Sequence, residues 1–139
     1  KPSSAASDVY KRQFVGMGAT SNTAALVFGG QDTTAATESW NGSNWTEVND
    51  MNTARRFLAG AGTNTAGLGY GGYVGPNTAA NESWNGSSWT EVNELNTGRL
   101  DLGGGGFSSS QAIAFGGATT PNSENETETW NGTKLDRTK

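Results

Sequence analysis

A single pattern occurs three times in this chain: an aromatic residue followed by Gly-Gly, a polar stretch, and then Trp-Asn-Gly. The copies contain Phe28-Gly29-Gly30 with Trp40-Asn41-Gly42, Tyr70-Gly71-Gly72 with Trp84-Asn85-Gly86, and Phe115-Gly116-Gly117 with Trp130-Asn131-Gly132. The leading Trp recurs about every 45 residues, a period typical of architectures in which one unit cannot bury its apolar face without a neighbour. The chain is therefore expected to fold as a stack of similar units.

Residue types within each unit predict four short strands. Small residues at 15–19, 57–61 and 102–106 suit innermost strands, because side chains have no room where backbones crowd around an axis. Apolar runs at 24–28, 66–70 and 112–115 predict a buried second strand. The Trp-Asn-Gly segments predict hairpins of two outer strands, since Asn-Gly favours positive φ. This composition predicts an all-β fold of β-propeller blades, each with four antiparallel strands.

About three blades are expected, at about 14–50, 56–94 and 101–139, with the last one incomplete because Leu135 stands where the other copies have a second Trp. Closed propellers have typically four to eight blades. Three blades make a partial propeller with two open side faces, so we expect a fragment that self-associates through those faces.

The first 13 residues do not follow the repeat. They resemble the in-frame translation of a sequencing-library adaptor and contain no apolar segment of a signal peptide. We therefore interpret 1–13 as a non-native leader and 14–139 as the propeller segment. The alternative is a native leader without regular structure.

Composition excludes several classes of function. The chain has no Cys and no His, so thiolate nucleophiles, imidazole bases and metal sites built on those ligands are ruled out. Asp50 and Glu94 lack the spacing of a calcium loop, and neither a metal nor a cofactor is expected. A net charge of −4 argues against nucleic acid as a partner, and no apolar run is long enough to insert into a membrane.

The polar stretches before each leading Trp, at 31–39, 73–83 and 118–129, differ in length and content while the framework is constant. Binding residues usually lie on such loops. The five Trp residues are instead expected to pack between blades, because they recur at fixed positions. The loop candidates for binding are Asp32, Tyr73, Pro76, Asn77, Pro121, Asn122 and Glu124.

Arg55 and Arg99 are further candidates, since both precede an innermost strand at the same point of the repeat. A ring of Arg side chains at that rim would bind an anion or a carboxylate. The alternative is a structural ion pair with a repeat acid such as Glu38 or Glu82.

The paired glycines, followed by an aromatic residue and a Trp after a short turn, resemble the kelch repeat over residues 14–135. The first aromatic residue is Trp where the kelch pattern usually has Tyr, and the two aromatic residues are closer together. This variant is similar to the Trp-Asn-Gly repeats of predicted phage and environmental bacterial proteins. The resemblance implies a β-propeller and a binding role.

The expected function is therefore a non-catalytic module that binds a protein or a glycan, as part of a phage tail fibre or bacterial surface protein, hence extracellular or virion-associated. The alternative is a fragment of a sialidase-like or oxidase-like propeller enzyme whose active-site blades are missing. A copper-radical oxidase site needs His and Cys, which this chain lacks. A sialidase site needs an Arg cluster with a Tyr nucleophile. Arg55, Arg56 and Arg99 with Tyr70 or Tyr73 are too few to indicate one, although missing blades could supply more.

Overall fold

The computed structural model describes residues 16–133 and 135–138, and the side chains of 20 and 135–138 are excluded from the description. The proposed 1–13 leader lies outside these residues. Three four-stranded antiparallel sheets follow one another along the chain, and we call them blades 1, 2 and 3. The all-β fold of about three blade-like sheets is confirmed.

Each blade has its strands in sequence order, and blade 3 carries an additional two-stranded hairpin, β11–β12, between its second and third strands. Blade 3 also has four strands, although its sequence departs from the repeat at Leu135. The strands are β1 Gly16–Ser21, β2 Ala24–Phe28, β3 Thr37–Trp40, β4 Trp45–Val48, β5 Ala59–Gly62, β6 Gly67–Tyr70, β7 Asn81–Trp84, β8 Trp89–Val92, β9 Gly103–Ser108, β10 Gln111–Phe115, β11 Ala118–Thr119, β12 Asn122–Ser123, β13 Thr127–Trp130 and β14 Leu135–Thr138.

The glycine- and alanine-rich strands lie at the inside, as expected. β1 lies against β5 and β5 lies against β9, so the first strands of the blades are neighbours. Small residues are needed there because the next blade approaches closely. A Cβ on Gly18 would lie 3.1 Å from the carbonyl oxygen of Ala61 in blade 2. Within the described residues the three blades do not close into a ring.

The Trp-Asn-Gly hairpins are confirmed. Trp40 is paired with Trp45 across the hairpin of blade 1, with ring centroids 5.3 Å apart, and the Trp84–Trp89 pair of blade 2 has the same arrangement at 5.4 Å. Asn85 closes its turn by accepting hydrogen bonds from the backbone N–H groups of Ser87 and Ser88 at 2.9 Å. Cross-strand aromatic pairs of this kind stabilise a hairpin.

The polar stretches before each Trp are shorter loops than the sequence predicts. Their last residues form the third strand of each blade, which begins at Thr37, Asn81 and Thr127. These polar strands are partly buried, and Thr37 and Asn81 have almost no exposed surface. The sequence prediction fails here because polar residues were assigned to solvent-exposed loops.

The hydrophobic core consists of two clusters, one at each junction between blades. The first junction, between blades 1 and 2, is filled by Leu26, Phe28, Met51, Leu58, Trp84 and Trp89. The second junction, between blades 2 and 3, is filled by Ala59, Ala61, Leu68, Tyr70, Leu95, Leu102, Ala112, Ala114 and Trp130. Three of the five Trp residues are therefore buried between blades, in agreement with the expected packing role.

Candidate ligand-binding face

The candidate loops and the linkers between blades lie together on one side of the molecule. Linker residues 49–58 bind the loop of blade 1, because Met51 and Arg55 donate backbone N–H groups to the carbonyls of Ala35 and Thr34. The linker 93–102 contacts blade 2 in the same way, through Leu95 N–H and the carbonyl of Ala79. We call this side, formed by 29–36, 49–58, 71–80, 93–102 and 116–126, the loop face.

Arg55 lies inside the protein under the loop face. Its side chain is 0% exposed and forms a salt bridge with the equally buried Glu82, with Nη2 and Oε1 3.0 Å apart. The same guanidinium donates to the carbonyls of Gly71, at 3.1 Å, and Ala80. Burial lowers the pKa of Arg55, and the negative charge of Glu82 opposes that shift.

The Glu82 carboxylate is itself surrounded by donors. It accepts hydrogen bonds from the backbone N–H of Asn52 at 2.6 Å, from Asn52 Nδ2 at 2.9 Å, and from Thr53 N–H at 3.2 Å. A buried carboxylate is stable only when its lone pairs are satisfied in this way. The linker before blade 2 is thereby fixed to the third strand of that blade.

Arg99 repeats this arrangement in blade 3. It is 0% exposed and pairs with Glu128 at 2.8 Å, and Asn96 donates to Glu128 through its backbone N–H and its Nδ2 at 2.9 and 2.7 Å. The expected pairing of Arg55 with a repeat acid is thus confirmed for Glu82, and the acid facing Arg99 is Glu128. Both guanidinium groups are occupied by internal partners, which assigns them to the structure of the junctions.

A cleft of about 440 Å³ opens on the loop face between blades 2 and 3. Asn77 connects its two walls, because Nδ2 donates to the Ala118 carbonyl at 3.2 Å. Three candidates, Tyr73, Pro76 and Asn77, are brought together there. The residues that line the cleft are Tyr73, Gly75, Pro76, Asn77, Thr119 and Thr120.

Tyr73 is held in place by Arg56, a residue that the sequence analysis did not select for binding. The two residues exchange backbone hydrogen bonds at 2.8 and 3.2 Å. The Arg56 guanidinium lies 5.3 Å from the Tyr73 ring centroid and 5.2 Å from that of Phe57. Cation–π contacts at such distances are favourable. Arg56 does not itself line the cleft, and within the described chain it forms no salt bridge, so a cation without a fixed counter-ion lies against the Tyr73 ring.

The other loop candidates lie around the cleft or away from it. Pro121 and Asn122 are exposed at the turn of the β11–β12 hairpin. Glu124 accepts a hydrogen bond of 2.6 Å from Thr119, a residue of the cleft wall. Asp32 is exposed in the corresponding loop of blade 1, with a positive φ of 64°, and does not line the cleft.

Sequence comparison within the chain distinguishes the cleft residues from the framework. Tyr73 occupies the repeat position of Gln31 and Ala118, and Arg56 occupies that of Leu100. Since the fold accepts other residues at these positions, packing does not require Tyr and Arg there. Internal variation of this kind was the signal that would have identified Arg56.

A second depression, of about 460 Å³, is lined by Asn52, Trp89, Thr90 and Glu91. Asn52 and Trp89 already stabilise the first junction, which makes this depression a weaker candidate. Among the side chains that the structure describes, no three acidic groups lie together to hold a metal ion. The same part of the chain contains no helix of the length and hydrophobicity needed to cross a membrane.

No protein-family model matches this sequence, and no curated protein is similar to it.

Proposed function

We propose that this protein is a non-catalytic, kelch-like propeller module that binds a polar ligand on its loop face. The observation that carries the proposal is the cleft between blades 2 and 3, where Tyr73, Asn77 and the Thr119–Thr120 segment converge. Pockets with a few converging polar groups are the usual location of ligand sites.

The chemistry of the cleft favours a glycan as the ligand. An aromatic ring, an amide and two hydroxyl-bearing residues provide apolar contact with neutral donors and acceptors, which sugar rings require. Arg56 adds a cation near Tyr73, so an acidic sugar would gain a charge-assisted hydrogen bond. A short peptide is the alternative ligand. Display on a phage tail fibre or on a bacterial surface is the biological setting that the resemblance to Trp-Asn-Gly repeats supports.

The loop that forms the cleft can be exchanged without altering the framework. Thr78 closes its loop by accepting from Ala80 N–H through Oγ1, and Thr34 does the same with Ala36 in blade 1, both at 3.1 Å. Replacement of Tyr73–Asn77 by the Gln31–Thr33 segment therefore keeps these contacts. The reciprocal exchange in blade 1 is the matched control.

Glycan-array binding of the full chain, followed by calorimetry on the best ligands, tests the proposal. Binding should disappear when the blade 2 loop is exchanged and persist when the blade 1 loop is exchanged. Arg56→Leu, which installs the residue found in blade 3, should weaken binding of an acidic ligand about tenfold, the loss of one charge-assisted contact. Equal binding by both loop exchanges would refute the assignment of the cleft. Binding of peptides but of no glycan would refute the glycan and assign a short peptide as the ligand.

A further inference from the structure

Each blade presents a similar apolar set to the blade that follows it, and we call that side its forward face. The ring at the end of the second strand projects from it: Phe28 in blade 1 is 0% exposed and Tyr70 in blade 2 is 1% exposed, since the next blade covers each of them. Phe115 is the corresponding residue of blade 3, and it is 47% exposed. Ile113, which corresponds to the buried Leu26 and Leu68, is 37% exposed.

The following blade receives the ring on a glycine. Phe28 lies against Gly60, the second residue of β5, and a Cβ on Gly60 would be 2.6 Å from the Phe28 ring. Tyr70 lies against Gly104, the second residue of β9, where a Cβ would overlap the Tyr70 hydroxyl. Real Cβ contacts are never this short, so any side chain at this position requires the ring to move. Glycine at the second residue of the first strand is therefore a condition for docking.

Blade 1 does not satisfy this condition. Its residue at the position of Gly60 and Gly104 is Met17, according to the strand registers. Met17 is 56% exposed, and its backbone N and O face Gly60, so its side chain projects to the other side, where a preceding blade would lie. A ring placed there as Phe28 is placed on blade 2 would collide with it.

The space in front of blade 3 is empty at the position where the next blade lies in the other junctions. At Gly18 atoms of blade 2 lie within 3.3 Å of an added Cβ, whereas at Gly105, the same position in blade 3, no atom of the described residues lies within 4 Å. The forward face of blade 3 thus continues the pattern of two interfaces already seen in this molecule, with the same residue classes and no blade upon it in the described chain.

From this we infer that the forward face of blade 3 is a docking surface for one further blade of the same repeat, which carries glycine at the second residue of its first strand. The first blade of a second copy is excluded as this partner by Met17, and this exclusion differs from the self-association expected from the open faces of a three-blade chain. The occupant is a repeat unit that, like blades 2 and 3, has glycine at the position of Gly60 and Gly104. This inference concerns assembly, and it does not depend on ligand binding at the loop face.

The first experiment supplies the partner in register. Thr138 pairs with Thr127 as Val92 pairs with Asn81, so residue 139 corresponds to residue 93, and a second copy of residues 94–139 is appended after Lys139. The chain has no cysteine, and Ile113→Cys provides a single reporter. Two extended chains are compared, one with glycine and one with methionine at the appended counterpart of Gly104.

Maleimide labelling of the cysteine at position 113 should be at least tenfold slower in the glycine version than in the unextended chain. The methionine version should label as fast as the unextended chain. Equal labelling of the two extended chains would overturn the inference, because docking would then be absent or independent of the glycine.

The second experiment tests the exclusion of a second copy. In sedimentation velocity the natural chain should be monomeric, whereas Met17→Gly should form a concentration-dependent dimer that Phe115→Ser abolishes. Far-ultraviolet circular dichroism verifies that each variant is folded. A natural-sequence dimer that depends on Phe115 would assign the surface to a second copy and overturn the inference. A Met17→Gly chain that remains monomeric would contradict the role given to Met17.

Discussion

The two junctions between blades contain the same buried ion pair but different apolar contacts. At the first junction, the Trp89 ring meets Phe28 edge to face, with centroids 4.8 Å apart, and Trp89 Nε1 donates to Thr37 Oγ1 at 3.1 Å. At the second junction, Leu135 occupies the position of Trp89, and the hydroxyl of Tyr70 donates to the Ile113 carbonyl at 2.9 Å.

This difference separates what the repeat must keep from what it can change. An apolar contact can be rebuilt from another ring or another methyl group, since packing requires only volume and shape. A buried carboxylate has no partial substitute, because removal of its partner leaves an unpaired charge. The Arg55–Glu82 and Arg99–Glu128 pairs are accordingly the same at both junctions, down to the Asn that donates twice to each Glu.

The largest effect is expected when the buried Arg–Glu ion pair that both junctions share is broken. Glu82→Gln and Glu128→Gln should each lower the free energy of unfolding by about 3–5 kcal/mol, because each leaves a buried guanidinium unpaired. Urea unfolding followed by Trp fluorescence measures the loss, and Glu47→Gln on an exposed strand is the control. Similar losses at the two sites would support equal roles, whereas a loss below about 1 kcal/mol at either would show that the pair is not needed there.

The next largest effect tests the apolar contacts, which differ between the two junctions. Trp89→Leu gives the first junction the residue type of the second and should cost about 2–3 kcal/mol, from lost ring burial and a lost hydrogen bond. Thr37→Val removes the acceptor of that bond, together with the 3.5 Å hydrogen bond from Thr37 Oγ1 to the Ala35 carbonyl, and should cost about 1 kcal/mol. If the two variants were equally stable, the edge-to-face contact with Phe28 would contribute nothing.

At the second junction, Tyr70→Phe should cost about 1 kcal/mol at neutral pH, since it leaves the Ile113 carbonyl without its donor. Burial raises the pKa of Tyr70 above its ordinary value. Below a pH of about 10, the ordinary pKa of Tyr, the phenol is protonated in both the folded and the unfolded chain, so the stabilisation by the Tyr70 hydroxyl is fully present. At higher pH the unfolded chain loses the phenol proton first, so stability falls. Alkaline unfolding should therefore be less steep in Tyr70→Phe than in Tyr73→Phe, and identical pH profiles would contradict the assignment.

The smallest effect concerns a contact that both junctions share at the surface. Asn49 Nδ2 donates to the Ser87 carbonyl at 2.6 Å, and Asn93 Nδ2 donates to the Thr133 carbonyl. Because all four residues are exposed, Asn49→Ala and Asn93→Ala should each cost about 0.5 kcal/mol, the low end for a hydrogen bond. Thermal unfolding of both variants beside the parent chain measures this, and a loss above about 2 kcal/mol would place these bonds among the main contacts of the junction.

Most of the strand arrangement could be predicted from the sequence because it is encoded locally. Small residues, apolar runs and Asn-Gly turns each constrain the backbone within a few positions, and the Trp40–Trp45 hairpin follows from them directly. The burial of polar residues in the third strands could not be predicted in the same way. Glu82 is buried only because Arg55, 27 residues earlier, supplies its charge partner, and no local pattern contains that information.

The loops that form the candidate site could be predicted from the sequence, but not all of the residues that meet there. Variable length identified the loops that contain Tyr73 and Asn77. Arg56 was missed, because its contact with Tyr73 requires the linker and the loop to be paired in space. Asp32, in contrast, is in an equivalent loop but does not line the cleft, since blade 1 has neither the longer loop of blade 2 nor the additional hairpin of blade 3.

The internal ion pair also has a consequence for how such a chain can lengthen or shorten in evolution. Arg55 and Glu82 lie within one period of the sequence, as do Arg99 and Glu128. Duplication or deletion of a whole period in the gene therefore adds or removes both charges together and leaves no unpaired buried charge. The number of units can change by recombination while the electrostatic balance of every remaining interior stays intact.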